Sequence, residues 1–379
     1  MPDTLIVSPE SSSQPAEARV LPLTFTGSGA EYFRIWIVNL LLTIVTFGIY
    51  SAWAKVRRLQ YFDRNTTLDG AAFDFHGKPL AILKGRLLAL VLVAGYQFAF
   101  GFSFTAGLVV VGALLLILPW LLRGALRFRL HNTSWRGLRF AFTGTTQEAY
   151  ATFIPPMLIF MLPGIAGAMA SNGPPRAPSP WFALFGLLYL IWPVMHAVVK
   201  RYQHAHIQYG GVDATYTLKS RRFWPPYLIA FGVMVAIGLV AAVAVPVLAK
   251  LGSQGAIAPS LLIGLAIVAY VALLSTFPYL QSRLGNLVWS HTGFPGVAIA
   301  SDMTFRGLFK LHAVNTILTI LTIGLFRPFA VVRTQRYVLA HLHITSSADI
   351  DAVQTAGKGR DVNAAGDGAA DFLGIDFAL

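Results

Sequence analysis

The sequence predicts a mainly α, polytopic helical membrane protein, with six full spans, two shorter duplicated segments and small cytoplasmic β-hairpins formed by internal repeats. Three observations carry that fold class. Of 379 residues, 55% are hydrophobic and only 12% charged, about half the charge of an average soluble domain. Apolar runs such as Ala106–Leu122 and Leu228–Ala249 recur along the chain, each near the roughly 20 residues that a bilayer core requires. The basic residues, 29 Lys and Arg against 16 Asp and Glu, gather just past the ends of those runs, as loops on the cytoplasmic side do.

Residues 1–20 are polar and read as a disordered N-terminal tail; they lack a basic stretch followed by an apolar one, so no cleaved signal peptide is expected. Residues 21–345 read as the membrane domain. Six spans are expected at Leu83–Phe104, Ala106–Leu122, Phe153–Ala170, Trp181–Val199, Pro226–Leu248 and Pro259–Leu280. They pair through short links with few basic residues, whereas the links between pairs are long and basic. That asymmetry puts the long links and both termini in the cytoplasm.

Ile35–Ala54 and His312–Val332 are apolar too, but basic residues flank each on both sides: Arg34 and Lys55–Arg58, then Lys310 and Arg333–Arg336. They read either as plain spans or as shallow segments that dip in and return, bent at Gly48 and Gly324. Only the second reading keeps every basic cluster on one side, and it requires shielding by protein, because irregular backbone is not tolerated against lipid. Residues 346–379, rich in Gly, Ala and Asp, read as a disordered acidic tail.

The two awkward segments are copies of one another. At a constant shift, Asn39, Thr43, Thr46, Gly48, Arg57 and Tyr61 fall on Asn315, Thr319, Thr322, Gly324, Arg333 and Tyr337. After each basic segment comes a strand-type stretch around a Gly: Asn65–Phe75, Asn132–Phe142, His206–Thr217 and His291–Phe305. Leu23–Gly27 supplies only the second half of such a stretch, and His341–Thr345 only the first. About five units of strand, membrane hairpin, basic turn and strand follow, with short hairpins in the terminal units. The two half-hairpins are expected side by side, closing a cytoplasmic sheet or ring.

Asn39-Leu-Leu-Leu-Thr-Ile-Val-Thr-Phe-Gly-Ile-Tyr-Ser-Ala-Trp-Ala-Lys-Val-Arg-Arg, followed by Tyr61-Phe62 and Asn65-Thr66, resembles the signature of the YjgN-like bacterial inner-membrane proteins, a domain of unknown function. The resemblance runs from about Leu23 to Thr345. It implies location in the bacterial inner membrane and implies no activity.

Several constellations remain as candidates. Asn39, Thr43 and Thr46 lie at i, i+4, i+7, one face of a helix, and Asn315, Thr319 and Thr322 repeat it. That stripe reads as interhelical hydrogen bonding or as a ligand-facing surface. Arg57, Arg58, Arg201, Arg333 and Arg336 lie near aromatic residues and read as interfacial anchors or as contacts to lipid headgroups, anionic ones above all. His131, His206, His291 and His343, with His204 and His341, recur ahead of the strand-type stretches. No carboxylate or Cys accompanies them, so they read as polar hairpin residues and no metal site is expected.

The chain has no Cys, its apolar spans hold no Asp or Glu, and it carries no hydrolase or metalloprotease motif. Carboxylate-coupled transport is therefore disfavoured, no enzyme and no cofactor is expected, and membrane lipids rather than nucleic acid are the expected partners. Two functions stay open. One is a non-enzymatic protein that passes or houses a small or lipidic ligand. The other is a structural or regulatory scaffold whose basic hairpins bind lipid headgroups or a protein. A continuous polar path would mark the first, and a packed interior the second.

Overall fold

The computed structural model describes residues 19–171, 189–252 and 257–347, and its described elements run strand, two helices, strand, five times over. The first unit holds β1 (Arg19–Leu21) and β2 (Leu23–Phe25), one strand broken at Pro22, then α1 (Gly29–Val45), α2 (Ser51–Arg64) and β3 (Thr66–Leu68). The second is β4 (Ala71–Phe75), α3 (Pro79–Phe102), α4 (Phe104–His131) and β5 (Thr133–Trp135). The third is β6 (Leu138–Phe142), α5 (Thr146–Ser171), α6 (Trp192–Ala205) and β7 (Ile207–Tyr209). The fourth opens with β8 (Val212–Asp213) and β9 (Thr215–Tyr216), one strand broken at Ala214, and continues through α7 (Trp224–Gly252), α8 (Ile257–Trp289) and β10 (Thr292–Phe294). The fifth is β11 (Val297–Ser301), α9 (Phe305–Leu321), α10 (Arg327–Ala340) and β12 (Leu342–Ser346).

All the strand pairs are antiparallel, in the orders β1-β12-β11-β10-β9 and β2-β3-β4-β5-β6-β7-β8. The two broken strands join these arcs, so the ladder closes on itself as a short barrel. Both breaks stay bridged: Asp69 N donates to Pro22 O at 2.9 Å and Ala214 N to Ile207 O at 2.7 Å. Tight turns make the hairpins possible. Asp69–Gly70, Arg136–Gly137 and Gly210–Gly211 all have positive φ, between 48° and 84°, the backbone that two-residue hairpins demand.

The closing register differs from expectation. Arg19–Leu21 pairs with Ile344–Ser346, whereas Leu23–Phe25 pairs with Thr66–Leu68. Pro22 causes the shift, because it has no N–H to continue a single ladder. Arg19 and Val20 thus belong to a strand rather than to the polar N-terminal stretch, and β12 extends to Ser346. Apart from Ser347, which the structure describes, the remaining residues of both expected tails lie outside the described residues.

Among the described residues, four helical stretches are long and apolar enough to cross a membrane: Pro79–Ala99, Phe104–His131, Ser220–Leu248 and Ile263–Trp289. The expected Phe153–Ala170 lies within α5, and the first eight residues of the expected Trp181–Val199 lie outside the described residues. The first pair of helices breaks at Ser103 rather than Thr105, where Ser103 Oγ accepts from Ala106 N at 3.0 Å. The basic turns are helical. Arg123, Arg127 and Arg129 sit in α4, and Lys55–Arg58 and Arg333–Arg336 in α2 and α10, consistent with the good helix propensity of Lys and Arg.

Both duplicated segments turn back on themselves. Phe47 and Gly48 (φ 50° and 89°) end α1, Ile323 and Gly324 (φ 51° and 89°) end α9, and the next helix runs back alongside each. With 17 residues, α1 and α9 are about 25 Å long, against about 50 Å for the 33-residue α8. The helices contact one another in chain order, and α10 returns to α1, where Phe329 stacks near Phe33 at 5.6 Å.

Three of the five barrel–helix junctions are built around an aromatic ring. In Phe25-Thr-Gly27, Phe75-His-Gly77 and Phe142-Thr-Gly144, the Phe ring folds back over the Gly, and a Cβ there would lie 2.5–2.7 Å from it. Phe75 is fully buried among Ala52, Val56, Leu59, Ala81, Ile82 and Phe128. Gly77→Ala is therefore expected to destabilise by about 1–3 kcal/mol, the usual range for overpacking. Gly112→Ala, in open space on α4, should be neutral or slightly stabilising. Thermal melts of both variants in one detergent check this.

Candidate functional site

Strand alternation sends every second side chain inward, and inside a closed barrel those side chains converge. Leu21, Leu68, Trp135, Leu138 and Tyr209 form the buried cluster, with Phe73, Phe140, Phe294 and Ile344 packed against it. The outer face is polar: Thr24 bonds Thr67 at 2.6 Å, Arg64 Nε bonds Asp74 at 2.7 Å, and Gln208 bonds Asp213 at 3.0 Å.

The interior is not completely filled. A partly open cavity of about 120 Å³ remains, lined by side chains from ten of the twelve described strands and by Pro295. Leu68, Trp135, Tyr209, Val212 and Val297 on its wall adjoin the hairpin turns, so it lies at the end of the barrel away from the helices. Among the described residues, no charged side chain lines it. The polar tips on the wall are engaged within the protein: Trp135 Nε1 donates to Leu68 O and Ala71 O at 3.3 and 3.2 Å, and Tyr209 OH donates to Trp135 O at 3.1 Å. What remains facing the cavity is hydrocarbon and aromatic face.

Charge gathers at the mouth instead. Asp69 binds Arg136 at 2.6 Å and Arg19 at 2.7 Å, and the Arg136 guanidinium lies 4.9 Å over the Trp135 ring. Two cations share one carboxylate at this rim. Arg136 is itself a non-Gly residue at φ 48°, a conformation that its ion pair and stacking help to hold.

The residues singled out from the sequence lie elsewhere. Asn39 and Asn315 are buried inside the two short hairpins. Thr43 and Thr319 donate to their carbonyl oxygens at 2.6 Å. Thr46 and Thr322 each donate back at 2.7 Å and accept from the N–H that starts the next helix, Tyr50 or Phe326, at 2.9 Å. Asn315 Nδ2 reaches Ala330 O at 3.3 Å. Oδ1 of both Asn residues is buried with no hydrogen-bond partner.

Arg57 lies over Tyr50 and Arg333 over Phe326, at 5.7 and 5.9 Å, and Arg58 lies over Phe62 at 5.9 Å. Arg201 is exposed. Arg336 donates to Gly27 O at 2.9 Å, tying the fifth unit to the first across 309 residues.

The histidines have individual duties. His206, His291 and His341 donate through Nδ1 to the carbonyl four residues back, at 2.8–3.0 Å. Asn65 and Asn132 do the same through Nδ2, at 2.8 and 2.9 Å. These five residues cap the second helix of all five units, so each satisfies a carbonyl that the helix end would leave unpaired. In the His-x-His pairs, one member caps and the other does not: His204 is buried beside Thr292 at 3.2 Å, and His343 faces Asp302 at 3.4 Å. No group of three metal-ligating side chains occurs among the described residues.

Two signals escaped sequence reasoning. The thrice-repeated Phe-x-Gly was on the page in the sequence. The cavity wall was not, because each strand contributes only one or two of its residues.

The fold and site define a helical protein with membrane-length apolar helices that carry a closed β-barrel with an apolar interior. The chain belongs to a family of bacterial proteins of unknown function, DUF898, which it matches over residues 20–372. It is 31% identical over 143 residues to the inner membrane protein YjgN of Salmonella typhimurium and 32% identical over 142 residues to that of Escherichia coli O157:H7. These alignments cover 37% and 36% of this chain and 36% and 34% of the relatives, so the match spans about a third of each relative's length. No solved structure matches significantly.

Burial, aided by the nearby Lys200 charge, holds His204 down to about 3. In the unfolded chain it binds a proton near pH 6.5, and in the folded chain it does not. Folding stability is therefore expected to fall as pH drops from about 6.5 toward 3. His204→Gln should flatten that slope between pH 7 and 5, as read by thermal melts.

Proposed function

We propose that the chain is a non-enzymatic, multi-pass protein of the bacterial inner membrane whose barrel houses a single small apolar group on the cytoplasmic side. The observation that carries this reading is the closed barrel with its hydrocarbon-lined cavity. Size narrows the ligand. An apolar cavity of about 150 Å³ takes up benzene, so about 120 Å³ suits one aromatic ring or a short branched chain, and not a whole lipid.

In this reading α3, α4, α5, residues 181–199, α7 and α8 supply six spans, and the five units descend from internal repeats. The hairpins α1–α2 and α9–α10 are shallow, since their tips, Phe47 and Ile323, are apolar and almost fully exposed. The basic ends of α2, α4 and α10 face the cytoplasm and anionic headgroups, and both termini lie on that side.

The orphan Oδ1 atoms of Asn39 and Asn315 favour a second reading, in which a polar group of a small or lipidic ligand passes among the spans. Asn39→Leu with Asn315→Leu separates structure from ligand. Membrane hydrogen bonds contribute roughly 0.6 kcal/mol each and up to about 2. If these residues only pack, the pair should change the detergent melting temperature and leave cellular phenotype intact. A lost phenotype at unchanged stability marks a ligand site.

Fluorobenzene tests the principal reading. The protein in lipid nanodiscs should give a bound ¹⁹F resonance that Val297→Trp, which fills the cavity, removes. Identical spectra for both proteins overturn it. A fluorescent reporter fused after Leu379 should light in the cytoplasm, and an active periplasmic phosphatase at the same position overturns the topology.

A further inference from the structure

We propose that Tyr32, Arg58 and Arg327 form a binding site for one phosphate group, at the seam where the fifth unit meets the first. The site lies outside the barrel and does not depend on what the barrel holds.

Packing assembles it. Tyr32 of α1 is 4% exposed, and its ring lies 4.9 Å from Phe62 and 5.3 Å from Tyr61 of α2. Val331 and Val332 of α10 complete the same cluster. Arg58, one turn before Phe62, lies 5.9 Å over that ring, and Arg327 stands one turn before Val331 on α10. Burial raises the pKa of the Tyr32 hydroxyl, and the Arg58 and Arg327 charges act in the opposite sense. Both guanidiniums are thus within electrostatic reach of one phenolic oxygen.

That oxygen has no hydrogen-bond partner among the described residues, and unlike the Tyr216 hydroxyl it is not sealed from the surface. Arg58 and Arg327 are exposed, and among the described residues neither pairs with a carboxylate. The acids of these hairpins are engaged elsewhere. Glu31 Oε2 accepts from Ser28 N at 3.4 Å and from Tyr61 OH at 3.2 Å, Asp63 faces Arg129 at 3.4 Å, and α9 and α10 hold no acid.

The internal copy separates these residues from the needs of the fold. At the shift that brings Asn39 onto Asn315, Tyr32 falls on Leu308, Arg58 on Thr334, and Ser51 on Arg327. Leu308 is fully buried, so this helix face packs without a hydroxyl. Three residues that the copies lack meet at one place.

Their chemistry suits phosphate. Two planar guanidinium forks and one hydroxyl, carried by three helices, offer donors from different directions to a tetrahedral anion. Tyr32 precedes the exposed tip residue Phe47 by 15 positions, about 22 Å of helix, whereas half a bilayer's hydrocarbon core is about 15 Å thick. With the tip in hydrocarbon, the site stands at the level of the headgroups, whose phosphate is one source. Free phosphate is the other. A phosphate bound there bridges the first and last units and favours the closed ring.

The full chain in dodecyl maltoside, titrated with dioleoyl phosphatidic acid and read by native mass spectrometry, should take up lipid saturably. Tyr32→Phe keeps the ring and its packing, and should weaken that affinity about tenfold, as for loss of a hydrogen bond to a charged group. Arg58→Thr with Arg327→Ser, the residues that the copies carry, should abolish it. Arg57→Ala, which removes a neighbouring charge, should leave it unchanged. Displacement of the lipid by inorganic phosphate assigns the site to free phosphate, and retention against it assigns the site to a headgroup; both support the proposal. No saturable uptake, an affinity that Tyr32→Phe leaves unchanged, or an equal loss in Arg57→Ala overturns it.

Discussion

A strand of three residues leaves most of its N–H and C=O groups unpaired unless a neighbour lies on each side. Eight of the twelve strands described have three residues or fewer, and an isolated pair of that size is marginal in water. Closure is what makes them stable. Each broken strand carries one neighbour on its first half and another on its second, so Pro22 and Ala214 are corners at which the ladder changes partner without opening an edge.

The helices depend on that closure as much as the strands do. Every helix pair hangs from two strands, and each second helix is fastened to its own barrel end by an Asn or His cap. Neighbouring units are then tied across: Gln60 donates to Phe75 O at 3.3 Å, Asn286 to Met303 O at 2.8 Å and Arg336 to Gly27 O at 2.9 Å. Individually such bonds contribute only about 1 kcal/mol. Their effect is geometric, because each fixes the angle at which one helix pair leaves the barrel relative to the next.

Much of this architecture is legible in the amino-acid order. Gly at the hairpin turns, with apolar and aromatic residues alternating beside it, points to short strands, and the shifted copy of Asn39–Tyr61 points to two matching bent hairpins. Three things were hidden for physical reasons. The closing register turns on one proline, which a two-residue periodicity cannot place between two possible neighbours. The basic segments looked like turns because they interrupt hydrophobicity, yet Arg and Lys continue a helix readily. The cavity is assembled from residues as distant as Leu21 and Ile344, and no local pattern marks such a wall. The Asn–Thr stripe was visible as a helical face, but only the folded hairpins reveal that Thr46 and Thr322 bridge the two helices at each bend.

The pairing of β1 with β12 also has a consequence in time. Arg19 leaves the ribosome early, and its partner Ser346 follows 327 residues later. At the usual pace of synthesis that is a wait of roughly 16–65 s, against microseconds for a hairpin to form. Through that interval the growing protein is an open arc whose first strand has one bare edge, exposed to any other nascent arc nearby. All four membrane-length helical stretches are made within that interval, so the segments able to hold one arc apart from the next exist before the strand that closes it.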